Sequence, residues 1–213
     1  MPAQFVPQEP ELTRIRDAYQ ARVRDAIEIA TLGQVPNRLG EPMHGVHDLV
    51  VAADQWENFA TVWFIPSALH SKPVDEHVDL MRNGTRWEFQ SRTRMDPGTE
   101  LAPRACISEI DDQVSSRFFI EDIPYGSYIG GGPKTRRYAT VQFQVATEVK
   151  SLHFDDRQQR QVADHGYCLV SYDPKHPPSI TALGDSGVDF GSFTPRRTER
   201  RSRTFGLRSL RRR

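Results

Sequence analysis

Cysteine is scarce in this 213-residue chain, with Cys106 and Cys168 the only two. Neither a CxxC pair nor a cysteine–histidine zinc spacing occurs, so both are read as free thiols buried in apolar, strand-like runs. Long apolar stretches are absent as well: nothing approaches the roughly 18 residues that span a bilayer. The start of the chain, MPAQFVPQEPE, lacks the basic opening and apolar core of a secretory signal. The expectation is an intracellular, soluble protein, cytoplasmic or virion-associated. In that setting Asn83-Gly84-Thr85 reads as a hairpin turn rather than a glycosylation site.

The patterns of nucleophilic and phosphate-binding sites are missing too. There is no GxSxG elbow, and neither cysteine sits among the basic groups that would activate a thiol. Gly130-Gly131-Gly132-Pro133-Lys134 lacks the second glycine beside Lys-Ser/Thr, and a strand pattern rather than a helix follows it. The acidic neighbours Asp111-Asp112, Glu121-Asp122 and Asp155-Asp156 would point to opposite sides of a strand and suit solvated turns. Histidine gives two weak leads. His77-Val78-Asp79, with His153 downstream and Arg157 or Arg160 to hold a carboxylate, has the spacing of an iron(II)/2-oxoglutarate oxygenase triad. The pattern carries little information, since His153-Phe154-Asp155 repeats it and Lys72–Glu76 looks like a loop. His44 and His47 fall in a stretch punctuated by Gly40, Pro42 and Gly45 that reads as an exposed loop. No catalytic residue, metal site or cofactor is assigned, and the balance of patterns is against an enzyme.

Residues 10–32 carry a helical period: Leu12, Ile15, Tyr19, Val23, Ala26, Ile27 and Ala30 form one apolar face, and Gly33 and Pro36 follow as stops. That face must cover either the chain's own sheet or a partner subunit. From residue 59 the period changes to two. Phe59–Ile65 is apolar throughout, as in a strand buried on both faces. Arg86–Met95 alternates, with Trp87, Phe89, Thr93 and Met95 on a core face and the charged residues facing water. Ala105–Ile110 and Arg117–Ile123 read as a pair joined by an acidic turn, Tyr138–Lys150 as a long strand, and Tyr167–Tyr172 as the last. The resulting expectation is a mainly β, α+β fold: an N-terminal amphipathic helix, then an antiparallel sandwich or open barrel of about six strands. The prolines of 174–178 place the edge of this domain (1–178) near residue 178, with 179–213 a flexible linker and tail.

What the chain has in excess lies at that end. Nine of its 28 basic side chains but one of its 28 acids fall in residues 196–213, so this stretch carries +8 and the rest −8. Arg196, Arg197, Arg200, Arg201, Arg203, Arg208, Arg211, Arg212 and Arg213 repel one another in water, predicting a disordered tail until an anion is met. Guanidinium groups suit paired contacts with phosphate, so the expected partner is nucleic acid, RNA above all, bound without regard to sequence. Lys134, Arg136 and Arg137 would extend that surface. Phe205, Leu207 and Leu210 admit an anionic membrane surface as a second target, and the acidic remainder of a neighbouring copy is a third, which predicts a homo-oligomer. The leading functional expectation is a self-assembling structural protein of the viral coat or matrix kind. An RNA-binding subunit of a ribonucleoprotein particle is the alternative, and the metal-dependent oxygenase the third.

Overall fold

A computed structural model describes residues 9–33, 35, 37, 49–65, 75–95, 104–109, 119–125, 138–155, 157 and 159–195. The fold is mostly β, with antiparallel sheets preceded by one helix. The helix, α1, runs Glu9–Leu32, and Gly33 closes it by donating its N–H to the carbonyl of Ile29 at 2.8 Å.

Four strands follow in simple up-and-down order: β1 (Leu49–Trp56), β2 (Phe59–Ile65), β3 (Asp75–Asn83) and β4 (Arg86–Met95). The β3–β4 turn is the expected hairpin, with Asn83 opposite Arg86 and Gly84 at φ +60°, a conformation that favours glycine. The second sheet has the order β5-β6-β9, from Phe119–Tyr125, Ala139–Val145 and Tyr167–Tyr172. The third, β11-β10-β7-β8, is made of Asp189–Phe193, Ile180–Leu183, Ser151–Phe154 and Arg160–Gln161.

Strand alternation decides what each sheet touches. On β2 and β3, Ala60, Val62, Phe64, Val78 and Leu80 pack with Ala26, Ile29 and Ala30 of α1. The helix therefore covers its own sheet. Its buried edge differs in phase from the expected face, because Arg22 and Asp25 are buried while Val23 and Ile27 are half-buried. Arg22 is drawn inward by Glu76 of β3, 2.7 Å away, and Glu76 also meets Arg92 of β4 at 2.6 Å. The opposite side of β2 meets the second sheet: Phe59 stacks on Tyr138, and Trp63 meets Tyr167 edge to face. The far side of the second sheet, with Val141, Phe143, Val145, Val170 and Tyr172, packs on Leu152, Phe154, Ile180 and Ala182 of the third.

Several expectations change. Residues 107–109 form a short 3-10 turn, and β5 pairs with β6 rather than with 105–110. β6 ends at Val145, short of Lys150. The alternation of β4 breaks at a bulge: Phe89 pairs with Leu80 but Ser91 with Asp79, so Thr93 leaves the face that Trp87 and Phe89 share. Residues 75–83 form β3, although Asp75 and Glu76 at its start were expected as loop. Beyond residue 178, β10 and β11 continue the ordered fold, with Ile180 between Phe154 and Phe193. The tail arginines lie outside the described residues.

Candidate functional site

The most concentrated chemistry among the described residues lies between the first and second sheets. Register places Asp54 opposite Thr61, Thr61 opposite Asp79, and Asp79 opposite Ser91, so one polar row crosses all four strands. Asp79 accepts hydrogen bonds from Thr61 Oγ1 at 2.9 Å and Ser91 Oγ at 2.6 Å. The row continues into the second sheet through Thr140, 3.4 Å from Thr61, and Ser171, 3.4 Å from Thr140.

At the β1 end, Asp54 gathers two cations. Its carboxylate accepts from Arg157 at 3.3 Å, from Arg160, and from the backbone N–H of Ser171 at 2.5 Å. Each arginine also donates to β9: Arg157 to the carbonyl of Ser171 at 2.7 Å, Arg160 to that of Leu169 at 2.8 Å. β9 is an edge strand of its sheet, so these side chains satisfy backbone groups that a further strand would otherwise pair. A buried carboxylate needs such partners, because an unpaired one is costly.

His77 belongs to the same layer, one register step from the row. Its ring is fully buried, 5.9 Å from that of Trp63. Burial pushes its pKa down to about 4, against a smaller upward pull from the Gln142 amide, so the imidazole is neutral near pH 7. Burial likewise raises the Cys168 thiol to about 12, which makes it an inert free thiol. Cys106 forms no disulfide and is half-buried.

The oxygenase set is not brought together. His77 and Asp79 lie side by side on β3 but are sealed from solvent, while His153 is exposed on β7 of another sheet. Arg157 and Arg160 are engaged by Asp54. Among the described residues, no group of three or more His, Cys, Asp and Glu side chains could hold a metal ion. The enclosed layer can fix two sheets in register.

An accessible feature lies on the other side of the first sheet. Between α1 and β4 runs an open groove of about 510 Å³, lined by Asp17, Tyr19, Gln20, Val23, Arg24 and Phe89. Phe89 is 37% exposed and meets Tyr19 edge to face at 5.6 Å. Arg92 lies over the Tyr19 ring at 4.9 Å. Sequence reasoning missed this groove and the Asp54 cluster, because polar residues on alternating strands and helices look alike whether they face water or a neighbouring layer.

The sequence-predicted binding residues Arg196, Arg197, Arg200, Arg201, Arg203, Arg208, Arg211, Arg212 and Arg213, with Lys134, Arg136 and Arg137, lie outside the described residues. The Gly130–Gly132 and His44–His47 stretches do too. No helix among the described residues is long and apolar enough to cross a membrane. Searched against family models, curated proteins and solved structures, the chain matches none.

Proposed function

We propose that this chain is a non-enzymatic, self-assembling structural protein, of the coat or matrix kind, whose C-terminal arginines gather RNA. The observation that carries the reading is the division of charge, +8 in residues 196–213 against −8 in the remainder. Nine guanidinium groups in eighteen residues exceed what a single acid in the same stretch can neutralise, and phosphate is the anion they fit best. Equal and opposite charges on one chain also favour association between copies, tail to acidic surface.

The body fits a scaffold role. Its buried ionic groups hold strands together, as Asp54 does with Arg157 and Arg160, and Glu76 with Arg22 and Arg92. We read the sheets as a layered β-sandwich with α1 on its outer side rather than as a barrel, since both faces of β6 and β9 are buried. The proposed setting is the cell interior or the virion.

Sedimentation with and without RNA tests the proposal and separates it from the ribonucleoprotein reading. Large assemblies that grow with protein concentration, and that carry RNA, are expected. A strict monomer at high concentration that still binds RNA would leave the ribonucleoprotein subunit in its place. A chain that binds no RNA would remove both.

A further inference from the structure

We propose that the groove between α1 and β4 is a nucleobase site, in which a base of single-stranded RNA lies on the ring of Phe89 while Arg24 takes the adjoining phosphate. This rests on the reading that the chain gathers RNA, and adds a contact that sees bases to a tail that sees phosphates.

Phe89 is one of few large apolar side chains left exposed among the described residues, and it lines the groove. It is also held in place. The Tyr19 ring meets it at 90°, Arg92 lies over Tyr19, and Arg92 is tied to the buried Glu76 at 2.6 Å. A flat ring fixed by a chain of contacts loses little freedom when a base stacks on it, and such stacking tolerates any base.

The surrounding polarity suits a nucleotide. Arg24 is exposed and lines the groove, and Arg16, also exposed, lies 3.7 Å from the lining Asp17, which leaves Arg24 as the lining cation able to meet a phosphate. Asp17 and Gln20, one helical turn apart, stand in the lining. The Asp17 carboxylate accepts hydrogen bonds only, which favours bases bearing an exocyclic amine, such as adenine, over uracil. Among the lining residues, Tyr19, Val23 and Phe89 supply the apolar surface.

The test uses the full chain and two labelled probes of equal length: an adenine octamer RNA and an abasic octamer with the same phosphates. The intact protein is expected to bind the adenine octamer more tightly. Phe89→Ala should weaken that binding by about 5- to 100-fold and leave the abasic octamer unchanged, since one base–aromatic stack is worth that much. Phe89→Tyr should restore it. If Phe89→Ala fails to fold, Phe89→Leu keeps the apolar contact with Tyr19 without a stacking face and should show the same loss. Two outcomes overturn the site alone: equal binding of both octamers by the intact chain, or a folded Phe89→Ala or Phe89→Leu chain that binds the adenine octamer as before. A Phe89→Ala chain that sediments as a smaller species without RNA would make the groove a subunit contact instead. Failure of the intact chain to bind either octamer would overturn the RNA reading as well.

Discussion

The two faces of the second sheet are both buried and both carry apolar clusters, yet only the face toward the first sheet adds a row of buried polar side chains. On β6, Ala139, Val141, Phe143 and Val145 meet the third sheet, while Thr140, Gln142 and Gln144 lie on the side of the first. On β9, Cys168, Val170 and Tyr172 go one way, and Tyr167, Leu169 and Ser171 the other. The apolar side is held by area and volume, which no change of pH alters. The side toward the first sheet adds, to apolar contacts such as Trp63 with Tyr167 and Phe59 with Tyr138, hydrogen bonds and ion pairs that require fixed protonation states and partners. One strand thus sits between a layer indifferent to acid and a layer that acid should loosen.

The largest test of this contrast is Asp54→Ala. Removing the carboxylate leaves Arg157, Arg160 and the Ser171 N–H without their shared acceptor, with an expected loss of about 3–5 kcal/mol in chemical denaturation. Replacing all three residues together with apolar ones should recover much of that loss, because the penalty lies in stranded charge. On the apolar side, Leu152→Ala should cost about 2–5 kcal/mol, scaling with the cavity left. No second substitution of a polar partner should rescue it.

Acid provides the next test. His77 holds its proton more weakly when folded, with a pKa of about 4 against 6.5 unfolded, so the unfolded chain binds more protons between those values. Stability contributed by the neutral ring is complete above pH 6.5 and drains away toward pH 4, by up to about 3 kcal/mol. Unfolding curves measured across that window should flatten in His77→Gln and keep their slope in Leu152→Ala.

A smaller effect is expected at the join between the layers. Gly166, at φ +75°, lies where an added Cβ would come 2.5 Å from Arg104 Nε and 2.8 Å from the Val145 carbonyl. Arg104 there donates to the carbonyls of Val145 at 2.9 Å and Val149 at 2.5 Å. Gly166→Ala should lower stability by about 1–3 kcal/mol through strain and a displaced guanidinium, seen as a reduced Tm. Thr61→Val, which keeps shape but removes one donor to Asp79, should cost about 1–2 kcal/mol.

The sequence was readable where period and burial agree. β2 and β9 lie at their expected bounds, because an unbroken apolar run says strand whichever side it faces. It was unreadable where polar residues are buried. β3, DEHVDLMRN, carries charges typical of a loop, but Glu76 turns to Arg22 and Asp79 to Thr61 and Ser91. The helix was found while its phase was not, since Arg22 counts as a surface residue until Glu76 is placed beneath it. β10 and β11 are short and carry glycines, and only their pairing with β7 brings them into the fold. Of the residues proposed to bind RNA, the tail arginines were legible as composition alone. The Asp54 cluster joins residues more than a hundred positions apart, a proximity no local pattern encodes.

The central claim, that the terminal arginines are the chain's means of holding RNA, is tested most directly by salt dependence. Log affinity of the full chain for a single-stranded RNA, plotted against log salt, should fall with a slope of about −6 if eight net charges meet phosphates. Replacing the nine arginines with glutamine should bring the slope close to zero. A steep slope that survives this replacement, or binding that salt leaves unchanged in the intact chain, would contradict the account.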